Sequence, residues 1–168
     1  MSKRLRLPDF GMYFHTDSPS PIDFICRTPP NLFHDLVFLQ SYIHDARFKV
    51  KKIRLRNKTL QIPMERDRWE RYKSLGKLES ISCDLKISPV FSIDWESPRK
   101  SVRRGSLPRN KEFAIRNVYL SESYWDDSDK GEIIFSGHGK RPSRLRITIS
   151  DIFSIRLEDS TKRKTSKR

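Results

Sequence analysis

The hydrophobic period of the chain changes after residue 44, and this change constrains the fold more than any other feature. Apolar residues within 30–44 are spaced by four, three and four positions, which is typical of an amphipathic helix. The residues on this stripe are Leu32, Leu36, Leu39 and Ile43. From Phe48 onward, apolar residues recur mainly at every second position, which is typical of strands with one buried face.

The alternating segments are short, and turn residues separate them. They cover residues 48–55, 60–62, 78–87, 90–95, 113–120, 132–136 and 145–149, and residues 153–157 close the ordered part. No helices alternate with these strands, so neighbouring strands are expected to run antiparallel. The sequence therefore predicts an α+β fold, in which one N-terminal amphipathic helix packs on a twisted, mainly antiparallel sheet of about seven short strands. That sheet is either open, with the helix on one face, or partly closed into a barrel.

The length of 168 residues fits a single domain. Residues 1–29 are rich in proline and are expected to form an extended N-terminal arm. Residues 30–158 are expected to form the α+β domain, and residues 159–168 to form a disordered basic tail.

Positive charge is concentrated in four segments of a chain whose net charge is +14. Residues 47–58 hold seven basic side chains and no acidic one, and the other basic segments are 1–8, 96–112 and 159–168. These segments together carry more positive charge than the whole chain, so the remainder is slightly acidic. Local positive patches of this kind favour polyanionic partners.

The segment 47–58 predicts a hairpin with one cationic face, because its basic and apolar residues alternate. A two-stranded ribbon of this type can lie along a phosphate backbone or in a major groove. The proline-flanked loop 97–111 would add flexible cations. The candidate polyanion-binding residues are therefore Arg47, Lys49, Arg54, Arg56, Arg99, Lys100, Arg103, Arg104, Arg109 and Lys111.

Three functions remain open on these observations. The first is a small non-enzymatic binding module that contacts nucleic acid or another polyanion through its basic surface. The second is a protein-interaction or assembly subunit, in which the Phe- and Tyr-containing arm 1–29 docks on a partner or on a second copy. The third is an enzyme of unrecognised class, which would need a cleft that gathers His44 and Asp45 with distant polar groups.

The sequence contains no motif for catalysis, and it predicts neither a cofactor nor a metal ion. Asp126–Gly131 resembles the start of a calcium loop, but Lys130 stands at a ligand position and Gly137 replaces the final glutamate. The segment Gly137–Lys140 lacks the spacing of a phosphate-binding loop. Both segments are expected to be turns between strands.

The histidines predict no metal site either. His34 and His44 are about 15 Å apart on the predicted helix, which is too far for them to share an ion. His44 and Asp45 lie at the junction between the helix and the first strand, where an acidic side chain is expected to fix the junction rather than catalyse. Cys26 and Cys83 match no disulfide or metal spacing, which indicates a cytoplasmic protein with reduced thiols. No apolar run is long enough to cross a membrane.

Overall fold

Strands account for most of the residues that the structure describes. The structure is a computed structural model, and it describes residues 22–27, 31–68, 76–97, 107–121 and 130–160. The elements in chain order are β1 (Ile22–Arg27), α1 (Asn31–Ile43), β2 (Arg47–Lys49), a 3₁₀ turn (Val50–Lys52), β3 (Arg54–Arg56), β4 (Thr59–Asp67), β5 (Ser80–Glu96), β6 (Glu112–Ala114), β7 (Asn117–Leu120), β8 (Lys130–Ser136) and β9 (Arg144–Asp159).

The α+β fold class predicted from the sequence is wrong. The described residues form a mostly β structure, an open antiparallel sheet of nine strands with one short helix and one 3₁₀ turn. Helix α1 supplies only 13 residues, and strands supply most of the rest of the described chain. The alternative of a partly closed barrel is also wrong, because the end strands β6 and β7 are not paired with each other.

The prediction of about seven short strands is wrong for a related reason. β5 and β9 are 17 and 16 residues long, and each joins two segments that the sequence pattern separates. In β5 the pairing with β9 shifts register twice between Ser88 and Ser92, so the break at Pro89 lies inside one strand. β9 pairs with β8 through its first half and with β1 through its second half. Interruptions of the alternation therefore mark irregular pairing within these strands, not their ends.

The sheet order places two short strands along one edge of β4. The order is β6-β2-β4-β5-β9-β8-β7, with β1 added on β9 and β3 added on β4. Arg47 of β2 lies opposite Glu65, and β3 lies opposite the segment that begins at Thr59. Since β5 occupies the other side of β4, residues 47–56 follow a single edge of that strand, with the 3₁₀ turn between β2 and β3. This edge carries the candidate site.

One continuous apolar core covers a face of the sheet, and α1 contributes to this core. The helix occupies residues 31–43, close to the predicted 30–44, and contacts β1, β4 and β7. The largest fully buried apolar side chains of the core are Leu39, Ile43, Leu60, Ile62, Leu85, Ile87, Ile115, Ile133, Phe135 and Phe153. This core provides a rigid support for the exposed face of the sheet.

A buried arginine fastens the helix to the sheet. The side chain of Arg66 on β4 is only 2% exposed. Its Nη2 donates a hydrogen bond to Oδ1 of Asp159 at 3.1 Å, and its Nη1 donates to the backbone carbonyl of Tyr42 at 3.4 Å. Because Tyr42 lies in the last turn of α1 and Asp159 ends β9, one guanidinium ties three elements together.

Part of the predicted N-terminal arm is a strand in the structure. Residues 22–27 form β1, which pairs antiparallel with residues 152–157 of β9. Residues 1–21 of the arm and residues 161–168 of the tail lie outside the described residues. In the described part of the chain, no helix has the length and hydrophobicity that crossing a membrane requires.

Candidate polyanion-binding site

The four candidate cations of residues 47–56 lie on the outer face of the sheet. Arg47 and Lys49 are exposed on either side of the buried Phe48, and Arg54 and Arg56 are exposed on β3. Arg54 and Arg56 lie opposite Gln61 and Thr59, and Arg47 lies opposite Glu65, three positions of β4 that alternate with its buried residues. From Glu65 to Thr59 the row is about 20 Å long, at roughly 3.3 Å per residue.

The 3₁₀ turn adds two cations between these strands. Lys51 and Lys52 are exposed, while Val50 before them is buried at 1% exposure. The alternation slips at this point because the chain makes one tight turn that keeps Val50 in the core and directs both lysines outward. The candidate residues named from the sequence do not include Lys51 and Lys52, although the absence of any acidic residue from 47–58 is a signal for them.

The structure brings two predicted segments that are distant in the sequence into one groove. Lys49 and Lys51 line it together with Arg109 and Lys111, and its volume is about 180 Å³. The Val50 amide donates a hydrogen bond to the Lys111 carbonyl at 2.9 Å, and β6, which begins one residue later, pairs with β2. These backbone hydrogen bonds hold the end of the loop 97–111 against β2 and Val50.

A second groove lies farther along the same edge. It has a volume of about 130 Å³ and is lined by Arg54, Arg56, Thr59, Gln61 and Lys86. Lys86 Nζ donates a hydrogen bond to Oε2 of Glu158 at 2.8 Å, and this bond lowers the pKa of the Glu158 carboxyl. The Lys86 charge is therefore largely offset, and Arg54 and Arg56 carry the positive charge of this groove.

We call the exposed cations along this side of the sheet the basic edge. It consists of Arg47, Lys49, Lys51, Lys52, Arg54, Arg56, Lys58, Arg109 and Lys111. Within the described ranges, none of these side chains forms an ion pair with a carboxylate. Unpaired neighbouring cations repel one another, so the edge is arranged to attract negative charge from outside.

Three carboxylates moderate the charge at one end of the basic edge. Glu65 and Glu112 lie directly across the strands from Arg47 and Lys49. A third groove, of about 430 Å³, contains both glutamates and Asp84 beside three basic residues, whereas Glu112 is the one carboxylate among the described residues that line the Lys49–Lys111 groove. Its mixed charge makes it less suitable for a polyanion than the Lys49–Lys111 groove.

Aromatic packing supports the groove that contains Lys111. The ammonium group of Lys111 lies 5.5 Å from the ring centroid of the buried Trp95. Trp95 packs edge-on against Phe113 at 5.3 Å, and Phe113 packs against Phe48 at 5.2 Å between centroids. Lys111 therefore lies against a buried aromatic cluster that spans β2, β5 and β6.

Another part of the same outer face is electrostatically compensated. Arg146 forms an ion pair with Glu132 at 2.6 Å and another with Glu96 at 3.5 Å, and Arg144 is 3.4 Å from Glu96. The hydrogen bond to Glu132 raises the pKa of the Arg146 guanidinium. We call Glu96, Glu132, Arg144 and Arg146 the paired cluster.

The structure leaves part of the predicted site undescribed. Of the ten candidate residues, Arg47, Lys49, Arg54, Arg56, Arg109 and Lys111 are present on the basic edge. Arg99, Lys100, Arg103 and Arg104 lie outside the described residues.

Asp45 lies between two histidines at the end of α1. Its carboxylate oxygens are each 3.1 Å from a histidine nitrogen, one from Nδ1 of His44 and the other from Nε2 of His138. Asp45 has a φ of 62°, and its amide donates a hydrogen bond to the Ile115 carbonyl. These contacts connect the end of the helix to the turn after β8 and to the β6–β7 connection, so Asp45 fixes the junction between them.

Comparisons with known proteins return no relative. No family model, curated protein or solved structure matches this chain. Among the residues that the structure describes, no group of three or more His, Cys, Asp or Glu residues is arranged to hold a metal ion. The functional argument therefore depends on the geometry and charge of the basic edge.

Proposed function

We propose that this protein is a non-enzymatic binding module whose basic edge contacts the phosphate backbone of a nucleic acid. The main support is the convergence of Lys49 and Lys51 with Arg109 and Lys111 in one groove. Residues about 60 positions apart in the chain contribute to the same positively charged groove. Such convergence is expected of a binding surface, whereas cations that only improve solubility can be scattered.

The dimensions of the basic edge also support a nucleic acid as the polyanion. A row about 20 Å long can lie beside several consecutive phosphates of a nucleic-acid strand. Lysine and arginine side chains along an exposed strand can each reach one of these phosphates. Contacts of lysine and arginine with phosphates carry no sequence information, so the proposal predicts binding with little sequence preference.

The test is a salt series of fluorescence anisotropy with labelled 20-mer DNA and RNA, starting at 50 mM salt. The wild-type protein should bind, and log K should fall linearly with log salt, with a slope of about −0.9 per neutralised phosphate. The triple variant Lys49→Gln, Lys51→Gln, Lys111→Gln should bind about a hundredfold more weakly at low salt. Its salt slope should be smaller by about three, one for each lost phosphate contact.

The matched control removes the same amount of charge elsewhere. Lys77, Lys140 and Arg141 are exposed cations that line neither groove of the basic edge. Their combined replacement by glutamine should lower affinity by less than about threefold, because salt screens exposed charges that do not contact the ligand. Equal losses in both triple variants, or no binding by wild type at 50 mM salt, would contradict the proposal. Competition with heparin separates nucleic-acid preference from general polyanion binding.

Protein assembly is the second candidate function. Its support is three large apolar side chains that remain exposed, Leu55 and Phe91 at 41% and Tyr119 at 37%. Single exposed apolar residues are common on monomers, so this support is weaker than that for the basic edge. Sedimentation velocity at high protein concentration tests it, and a purely monomeric species would remove self-association.

A further inference from the structure

Phe91 is an exposed aromatic ring that a strand irregularity directs outward. Val90 pairs with Ile149 and Ser92 pairs with Thr148, so Phe91 is an extra residue of β5 with no partner on β9. The ring is 41% exposed, whereas Val90 before it is buried. Bulges of this kind redirect a side chain and are frequent beside functional sites.

Two lysines from other segments meet at this ring. The ammonium groups of Lys58 and Lys130 lie 5.3 Å and 4.8 Å from the Phe91 centroid. Lys58 is fixed by its turn, since Asn57 and Lys58 have φ values of 49° and 58°, as a two-residue hairpin turn requires. The Lys58 carbonyl also accepts a hydrogen bond of 2.7 Å from the Val90 amide. The turn and the bulge are therefore joined by their backbones.

We propose that Phe91 stacks on an unpaired base of a single-stranded nucleic acid while Lys58 and Lys130 contact the adjoining phosphates. This inference rests on the proposed function and narrows the ligand from nucleic acids in general to single strands. Lys58 is the last cation of the basic edge, so a strand that follows the edge reaches Phe91 next.

The chemistry favours a single strand over a duplex at this position. The bases of a duplex are already stacked and paired, so an exposed ring on a sheet surface has no base face to contact. A single strand presents free base faces, and aromatic rings interleaved with lysines are the usual means of holding them. Cation–π contacts at exposed sites are weak, so the Lys58 ammonium group can exchange the ring for a phosphate.

The experiment compares labelled 15-mer oligothymidylate with the matching 15-base-pair duplex by anisotropy at 50 mM salt. Phe91→Ala should weaken single-strand binding about tenfold, within the range known for one stacked base. Phe91→Leu should weaken it similarly, because leucine is apolar but cannot stack, and Phe91→Tyr should retain wild-type affinity. Duplex affinity should not change in any of these variants.

Two controls separate stacking from other effects. Tyr119→Ala removes the other exposed aromatic side chain among the described residues and should leave affinity unchanged. The salt slope of Phe91→Ala should equal that of wild type, since no charge is lost. Thermal denaturation by circular dichroism verifies that each variant is folded.

The outcomes distinguish this inference from the proposed function. Single-strand binding by wild type that Phe91→Ala changes by less than twofold would overturn the stacking role and leave the basic edge intact. Preferential binding of wild type to the duplex would do the same. Absence of binding to both oligonucleotides would overturn the proposed function and the inference together.

Discussion

The basic edge and the paired cluster lie on the same sheet but differ in the ion pairing of their cations. In the paired cluster, Arg146 is in contact with two carboxylates, and its charge is satisfied within the molecule. Along the basic edge, no ion pair to a described carboxylate compensates cations such as Lys51 and Arg56. The basic edge is built from three-residue strands and a turn, whereas the paired cluster lies mainly on the long strands β5 and β9 and on β8.

The difference shows that a high positive charge is not by itself a binding signal. Arginines on β9 face glutamates on β5 and β8 across the sheet, and this cross-strand arrangement contributes to folding. Along the basic edge, Glu65 and Glu112 lie opposite Arg47 and Lys49, but among the described residues neither glutamate forms an ion pair with these cations. Lysine at an edge also discourages aggregation. That role does not require two distant segments to converge, so the convergence is better evidence for binding.

The largest predicted effect concerns a cation that serves the fold. Arg66→Met should lower the free energy of unfolding by about 3 kcal/mol, because it removes a buried ion pair and the bond to the Tyr42 carbonyl. The exposed variants Arg54→Met and Arg56→Met should each change it by less than about 0.5 kcal/mol. Urea denaturation measures all three. Similar changes in the three variants would erase the distinction between structural and available cations.

The next prediction concerns the buried thiol of Cys83 on β5. Burial raises the pKa of the Cys83 thiol to about 12 from an ordinary value of 9.0. The neutral thiol is favoured in the folded state, so this stabilisation is complete below pH 9 and is lost as pH rises towards 12. Between pH 8 and pH 10.5 the loss should be about 2 kcal/mol.

Urea midpoints at the two pH values test this prediction in a Cys26→Ser background, with Cys83→Ala as the control that removes the thiol contribution. The Cys26→Ser protein should also resist a thiol reagent at pH 8 until urea unfolds it, because only the thiolate reacts. Rapid labelling of the folded protein would contradict the prediction, because it would show that solvent reaches the Cys83 thiol.

The smallest predicted effect compares two carboxylates directly. Glu112→Gln and Glu132→Gln change the net charge equally, but Glu112 lines the Lys49–Lys111 groove and Glu132 belongs to the paired cluster. Removing Glu112 should raise affinity for labelled DNA about fivefold, as expected for a charge about 4 Å away in a well-solvated site. Removing Glu132 should raise it less than twofold. Equal gains would mean that net charge, not position, controls binding.

The helix is the element that sequence reasoning located best. The apolar spacing predicted residues 30–44 and the structure has 31–43, because a helix is a local structure that its own hydrogen bonds and buried stripe define. The same reasoning failed for the fold class. The clear helical period favours an α+β fold, but the helix has only 13 residues and the structure has nine strands.

The strands show why alternation alone was insufficient. The prolines of residues 1–29 predict an extended arm, but residues 22–27 form β1, which pairs with β9. Residues 113–120 read as one strand, but they form β6 and β7, which lie at opposite ends of the sheet order. A strand is stabilised by a partner distant in the sequence, and the alternation of side chains does not reveal that partner.

The sequence by itself determined where cations are concentrated and where apolar residues follow a helical or a strand period, because both are properties of the local chain. Alternation on either side of the slip at Lys51 and Lys52 predicts that Arg47, Lys49, Arg54 and Arg56 share one face. The tertiary structure alone decided that Arg109 and Lys111 join them, that Arg144 and Arg146 are neutralised, and that Phe91 meets Lys58 and Lys130. These outcomes depend on strand order and register, which long-range pairing sets.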